Sequence, residues 1–197
     1  MANAKGFAND RKAAGAVTVA SIRPSSAAET GGWGKRLRTA AAAALPSRRE
    51  AAIGSLAWAV AMVVSAVIGL LLRGWDQPNR IATIAGVYAA GALIAFAPAI
   101  WLARLAGRGR SDTTFAATLL LLPIATCGLT AFLYGMQYRL YYSAWHDHAF
   151  TIRWVFEFVF TTLAAVYQFL VLGVRLYLPL GALALAVAAW WNAKSAR

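Results

Sequence analysis

Long apolar runs without a charged residue constrain this chain more than any other feature of its sequence. The run at 51–72 has 22 residues without a charge, and the runs at 81–102 and 114–138 are likewise uncharged. A helix needs about 20 apolar residues to cross the hydrocarbon core of a bilayer, because it rises about 1.5 Å per residue. In lipid, an isolated apolar segment can satisfy its backbone hydrogen bonds only as a helix. These runs therefore predict an all-α, polytopic transmembrane helix bundle.

A fourth run, 152–175, carries polar groups at helical spacing. On a helical wheel, these groups fall within roughly 80° of one another and form one face. They are Arg153, Glu157, Thr161, Gln168 and Arg175. The two arginines would lie about 33 Å apart along the axis, close to the thickness of the hydrocarbon core. Because an ionisable group at the depth of Glu157 is costly in lipid, the polar face is predicted to contact protein or water.

Two interpretations of this polar face remain open. A wet or ligand-contacting seam would make the chain a small transporter or permease component. Alternatively, Arg153 pairs with Glu157 one turn away and Arg175 extends to the opposite surface, which leaves a role in structure or assembly. The sequence favours the second interpretation, since only Gln168 then needs a partner at mid-membrane.

Small residues recur at every fourth position of the first two runs. Such strips let another helix approach closely, so they are predicted helix-packing surfaces. They consist of Ala57, Ala61, Ser65 and Gly69 in the first run, and of Ala82, Gly86 and Ala90 in the second. In the third run, the line of Thr126, Thr130 and Tyr134 predicts ordinary contacts between helices.

The last run, 176–191, has about 16 apolar residues and is marginal for crossing a bilayer alone. We predict a short fifth span here, because 152–175 already accounts for a full crossing. A kinked extension of the fourth helix and a segment lying against partners are the alternatives. In each case, 51–192 is predicted to form one transmembrane domain.

The first 50 residues are rich in Ala, Ser, Gly and basic side chains and contain no apolar run of signal-peptide length. This composition is typical of disordered segments, so 1–50 is predicted to be a disordered basic tail. A short helix around Trp33 lying on lipid headgroups and a mitochondrial transit peptide are alternatives.

The formal net charge of +12 raises the question of nucleic-acid binding. Nine of the 19 basic residues lie in the first 49 positions, and the others flank apolar runs. This distribution favours anionic lipid headgroups near the tail over nucleic acid. With a fifth span, nine Lys and Arg residues lie beside the spans on the side of the N-terminus and six on the other side. Without it, the numbers are eleven and four. We therefore predict a cytoplasmic N-terminus in a bacterial inner membrane.

His146 and His148 lie in an aromatic segment between the third and fourth runs. In an extended loop, both imidazoles of such a pair point the same way, so they are a candidate Cu or Zn site if another ligand joins them. A solvated loop at the membrane surface is the simpler interpretation, and we favour it.

Recognisable motifs for catalysis or cofactor binding are missing from the sequence. The GRGR segment at 107–110 lacks the strand, lysine and hydroxyl of a P-loop, and the lone Cys127 cannot form an intrachain disulfide. We expect no enzyme and no cofactor. The sequence favours an accessory or assembly subunit that contacts other membrane subunits or copies of itself, with the transporter component as the alternative.

Overall fold

The computed structural model describes residues 26–142, 148 and 150–195. Its helices are α1 (Ser26–Ala43), α2 (Arg48–Leu71), α3 (Pro78–Gly107), α4 (Ser111–Tyr142), α5 (Ile152–Gln168) and α6 (Leu180–Ser195), with a π-helix at Phe169–Gly173 and a 3-10 helix at Val174–Tyr177. The described residues contain no strand, which confirms the predicted all-α class. The chain divides into two units, Met1–Leu37 and Arg38–Arg197, and the second contains the bundle described below.

Four segments are long and apolar enough to cross a membrane. They are Arg48–Leu71, Pro78–Gly107, Ser111–Tyr142 and Ile152–Tyr177. This finding confirms a multi-pass helical membrane protein, with candidate spans at the four long runs that the sequence predicts. The first three helices extend past the predicted spans, because hydropathy marks only the apolar part of a helix that continues into polar flanking residues.

The tail differs from its prediction where the structure describes it. Residues 1–25 lie outside the described part of the chain, whereas Ser26–Ala43 form α1. Alanine has the highest helix propensity of all residues, and the helix ends in the alanine run of 40–43. The indole Nε1 of Trp101 donates to the carbonyl oxygen of Ala41 at 2.9 Å, which attaches the end of α1 to α3.

The membrane helices begin and end at identifiable signals. Ser47 and Glu50 form a capping box at the start of α2, with the backbone N–H of each donating to the side chain of the other at 3.0 and 3.2 Å. Pro78 occupies the first turn of α3, where its missing N–H costs nothing. The helix ends at Arg108, whose φ of 48° is left-handed.

Short connections at 72–77 and 108–110 make α2, α3 and α4 antiparallel neighbours. The start of α2, the end of α3, the start of α4 and the end of α6 consequently meet at one end of the bundle. We call this the polar end and define it by Glu50, Arg104, Thr114 and Asn192. We call the opposite end the aromatic end and define it by Trp75, Tyr142 and Trp154.

The core lies between α2, α3 and α4 and includes the π and 3-10 segments. Its larger buried side chains are Trp58, Met62, Tyr88, Phe96, Ile100, Leu122, Phe169 and Tyr177. Large apolar side chains also cover the outer surface of the helices, as on α2 at Ile53, Leu56, Val60, Val64 and Ile68. A water-soluble protein rarely exposes so continuous an apolar surface, so this surface contacts the lipid bilayer.

Helices α3 and α4 approach each other closely along a seam. On α3 it consists of Gly91, Ala95, Ala99, Ala103 and Gly107, and on α4 of Thr114, Thr118, Leu122, Thr126 and Thr130. A Cβ atom at Gly91 would collide with Thr130, and one at Gly107 would collide with Thr114. The absent side chains therefore let the two backbones approach closely, and such close packing is one of the forces that hold helices together in lipid.

The predicted packing strips only partly coincide with observed contacts. Ser65 and Gly69 on α2 are buried, and Gly69 packs against Leu176. On α3, Ala82 and Gly86 are exposed, and a Cβ at Gly86 would meet no atom within 4 Å. The strip of α3 that packs on α4 lies one residue further along, about 100° around the helix. Of the remaining predicted positions, Ala57 is exposed, and Ala61 and Ala90 are half-buried.

The fourth membrane segment differs from the continuous α-helix expected over 152–175. The α-helical pattern ends at Gln168 and gives way to the π-helix and then the 3-10 helix. Side chains of other helices bind the backbone there: Tyr88 donates to the carbonyl of Gly173 at 2.6 Å, and Ser65 to that of Leu176 at 3.0 Å. These bonds satisfy carbonyl groups in irregular backbone that lipid would leave without partners.

Helix α6 continues this segment towards the polar end. Gly181 packs against Met62, and Asn192 lies beside Arg104 and Thr118. Residues 152–195 therefore pass once from the aromatic end to the polar end, and α6 is the second half of that passage. The structure thus has the kinked extension of the fourth helix in place of the separate fifth span that we predicted from the apolar length of 176–191.

Candidate functional site

A buried polar network at the polar end joins four helices. Nη1 of Arg104 lies 3.6 Å from Oε2 of Glu50, and Nε of Arg104 donates to Oδ1 of Asn192 at 2.8 Å. Nδ2 of Asn192 in turn donates to the hydroxyl of Thr118 at 2.9 Å. Asn192 and Thr118 are fully buried, so each depends on these contacts for its hydrogen bonds. The network links α2, α3, α4 and α6.

Local structure explains why the charges of this network occur at these positions. Arg104 lies in the last turn of α3 and Glu50 in the first turn of α2, where the helix dipoles favour a cation and an anion respectively. The side chain of Arg104 is only 13% exposed, compared with 36% for Glu50. Its Nη2 atom is shielded from solvent and makes no hydrogen bond with any described residue.

A pocket of about 560 Å³ adjoins the network. Arg104, Leu105, Arg108 and Gly109 line it on the side of α3. Ala40, Ala43 and Ala44 line it next to α1, and Ser195 lines it at the end of α6. Two guanidinium groups at the end of a membrane helix suit anionic headgroups, although nothing in the lining resembles a nucleophile paired with a base.

Sequence reasoning counted Arg104 only as a basic residue after the second span and did not single out Asn192. An available signal was that Asn192 is an amide directly after the paired tryptophans that end the last apolar run. Its partners lie 74 and 88 residues away in the chain, so residue spacing could not indicate them.

An ion pair joins the first two residues of the polar face predicted for 152–175. Nε of Arg153 lies 3.2 Å from Oε1 of Glu157, with side-chain exposures of 78% and 25%. Both residues belong to α5. Its N-cap is Thr151, whose hydroxyl accepts from the N–H of Trp154 at 3.1 Å. Thr161 follows one turn later and is half-buried. The interpretation as an ion pair one turn apart therefore matches the geometry.

The far part of the predicted face has different surroundings. The hydroxyl of Tyr134 lies 3.5 Å from Oε1 of Gln168, at the upper limit for a hydrogen bond. Arg175 is exposed and lies in the 3-10 helix, beyond the π-helix that follows Gln168. A π-helix changes the number of residues per turn, so Arg175 does not keep the register that relates the other four residues.

Aromatic and cationic side chains pack together at the aromatic end. The guanidinium of Arg139 lies 4.0 Å from the ring centroid of Phe158 and 5.5 Å from that of Trp154. The rings of Tyr138 and Tyr142 pack at a tilt of 42° with their centroids 4.6 Å apart. Rings of this kind prefer the membrane–water interface, and they mark the aromatic end as one surface of the bilayer.

Of the predicted metal pair, His146 lies outside the described residues, whereas His148 is among them. Within 26–142, 148 and 150–195, no group of three or more His, Cys, Asp or Glu residues has the geometry to hold a metal ion. The metal site therefore stays a prediction from sequence.

Known proteins offer no further guide to the site. Comparisons of the chain with protein families, with curated proteins and with solved structures find no match.

Proposed function

We propose that the chain is a non-catalytic accessory or assembly subunit of a larger complex in the bacterial inner membrane. The observation that carries this proposal is the poor coverage of α5 by the chain itself. In the most apolar stretch of Ile152–Tyr177, 11% of residues are buried, compared with 28–39% in the other three membrane segments. This least covered helix is also the one that carries Arg153 and Glu157.

A second surface supports the same role. Ala82 and Gly86 present an exposed small-residue strip on α3, separate from the seam with α4. Such strips allow a helix of another subunit, or of a second copy, to approach closely. The proposed partners are therefore membrane helices.

The distribution of basic residues supports a cytoplasmic polar end. This end carries Arg48, Arg49, Arg104, Arg108, Arg110 and Lys194, and the aromatic end carries Arg73, Arg80, Arg139 and Arg153. An excess of Lys and Arg beside the spans is the property of cytoplasmic loops, and the basic tail would then face anionic headgroups.

The test is extraction from native membranes in mild detergent, followed by native electrophoresis and identification of comigrating proteins. We expect a complex larger than the monomer and its partial dissociation by Gly86→Leu. Ala116→Leu is the matched control, because it adds similar bulk to another exposed position, on α4. A clean monomer in the native extract would overturn the proposal.

A small transporter component is the second candidate function. The observation that favours it is the placement of Glu157, 25% exposed, and of Gln168 beside Tyr134 along one membrane helix. Intramembrane carboxylates often mark ion or proton paths. Glu157→Gln would then abolish uptake at unchanged expression, whereas full uptake by the variant would exclude this candidate.

A further inference from the structure

An apolar groove of about 450 Å³ runs between α4 and α5. Its lining includes Gly128, Ala131, Gly135, Phe158, Thr162 and Val166. Its glycine and alanine residues have no side chain or a single methyl group, so they leave space above the backbone of α4. At Gly128, a Cβ would meet no atom within 4 Å. The groove therefore has room for a narrow apolar chain lying along the helices.

The chemistry of the lining excludes a polar occupant. The hydroxyl of Thr162 already donates to the carbonyl of Phe158 at 2.8 Å. Cys127 and Met136 also line the groove, and their sulfur atoms are weak hydrogen-bonding groups. A polar molecule entering the groove would lose its hydrogen bonds to water without replacement, which is costly.

The length and depth of the groove match one leaflet of a bilayer. From Cys127 to Met136 the helix rises about 13 Å, close to half of the hydrocarbon thickness. The groove ends just before Tyr138 and Tyr142, which lie at the aromatic end. An acyl chain of a lipid in that leaflet would enter the groove from the bilayer surface.

A cation lies at the surface end of the groove. Arg139 follows Gly135 by one helical turn, and its guanidinium stacks 4.0 Å from the ring centroid of Phe158, which lines the groove. Glu50 pairs with Arg104 and Glu157 pairs with Arg153, and Arg139 takes part in neither of these ion pairs. Guanidinium groups bind phosphate oxygens through paired N–H donors, which lie in the plane of the group and not on the face that stacks on Phe158.

We propose that this groove is a binding site for an anionic phospholipid of the leaflet at the aromatic end. One acyl chain lies between α4 and α5, and the headgroup phosphate binds Arg139. The site is independent of the assembly role proposed above, since it uses neither the strip of Ala82 and Gly86 nor the exposed face of α5.

Native mass spectrometry of the delipidated full-length protein tests this site. The probes are phosphatidylglycerol and phosphatidylcholine with identical chains, and the soluble headgroup glycerophosphoglycerol. We expect about fivefold tighter binding of phosphatidylglycerol than of phosphatidylcholine, the difference that one basic residue provides at an anionic surface. Tight binding of the soluble headgroup would overturn the role of the groove, because it would show that no acyl chain is needed.

Two variants separate the contributions of charge and groove. Arg139→Gln should remove the preference for phosphatidylglycerol, whereas Arg153→Gln, a change of equal charge at the same end, should keep it. Gly128→Leu adds bulk to the groove at a position where a Cβ meets no atom within 4 Å, and it should weaken binding of both lipids, whereas Ala116→Leu should not. Unchanged affinities in Arg139→Gln or in Gly128→Leu would overturn the proposal.

A fluorescence measurement on the protein with its native groove tests the same site without relying on variants that could fail to fold. Phosphatidylglycerol brominated on its acyl chains should quench the fluorescence of Trp154, which lies 5.5 Å from Phe158 between ring centroids. The quenched signal is identified by its loss in Trp154→Phe. Equal quenching by brominated phosphatidylcholine at the same concentration would overturn the headgroup selectivity. Crosslinking of Gly128→Cys to a helix of a partner protein would show that this helix, and not a lipid, occupies the groove.

Discussion

The Nε atom of Arg104 donates a 2.8 Å hydrogen bond to Oδ1 of Asn192, and this contact fixes the end of α6 against the end of α3. It places the end of α6, and therefore the end of the passage of 152–195, at the polar end. Because Asn192 also donates to Thr118, one buried amide joins three helices. The contact therefore matters for topology as well as for stability.

Asn192→Ala should destabilise the folded protein by about 1–3 kcal/mol, since Nε of Arg104 would lose its partner while Nη2 already has none among the described residues. Denaturant unfolding in mixed micelles measures this change. Val187→Ala is the control, because Val187 is 65% exposed on the same helix and should cost much less. Equal losses in the two variants would contradict the buried network.

Two glycines of α3 should respond oppositely to alanine. Gly91→Ala places a methyl group against the side chain and the Cα of Thr130, so we expect a loss of about 1–3 kcal/mol from overpacking. Gly86→Ala meets open space and should be neutral or stabilising by up to about 1 kcal/mol, because alanine favours the helix. The comparison uses the same unfolding assay, and a greater loss at Gly86 would contradict the seam.

The single passage of 152–195 predicts the sidedness of substituted cysteines. In a Cys127→Ala background, Arg49→Cys and Lys194→Cys should react with a membrane-impermeant maleimide from the same side, and Arg153→Cys from the other. Labelling of intact and opened cells measures this. Reaction of Lys194→Cys together with Arg153→Cys would show that α6 does not finish at the polar end.

Removing the ion pair on α5 should change stability little. Arg153 is 78% exposed, so solvent screens its pairing with Glu157, and Glu157→Gln should cost less than about 1 kcal/mol. Arg153→Gln should give a similar value, because the two variants break the same pair. A loss of several kcal/mol in Glu157→Gln alone would indicate that the carboxylate has a stronger partner than Arg153.

Two tyrosines test the polar contacts of the π-helix region. Tyr88→Phe removes a buried 2.6 Å bond to the carbonyl of Gly173 and should cost about 1 kcal/mol in unfolding free energy. Tyr134→Phe removes a contact of 3.5 Å to Gln168, which is too long to contribute much. A larger loss in Tyr134→Phe than in Tyr88→Phe would show that the ordering of these contacts is wrong.

The membrane spans could be predicted because lipid imposes a simple physical requirement on them. A run such as 51–72 has to be helical and has to be about 20 residues long, and both properties can be read from one sequence. The pairing of Arg153 with Glu157 could be anticipated for a similar reason, since residues four apart on a helix are neighbours.

The remaining features depend on contacts between residues far apart in the chain. Both faces of α3 offer small residues at every fourth position, so the sequence could not indicate that Gly91, and not Gly86, packs against α4. The end of α5 at Gln168 likewise depends on Tyr88 and Ser65, whose side chains bind the irregular backbone of 169–177. Sequence periodicity extends a helix until a breaker occurs, and here Pro179 comes only after the π and 3-10 segments.

The seam between α3 and α4 bears on the order in which the protein is assembled during synthesis. Its two sides are joined by only three residues at 108–110, so a ribosome that has completed residue 142 has already produced both of them. Helix α2 completes its contacts later, since Ser65 binds a carbonyl 111 residues further along. We expect nascent chains stalled beyond residue 142 to crosslink α3 to α4 as an inserted hairpin before the contact of Ser65 with Leu176 can form.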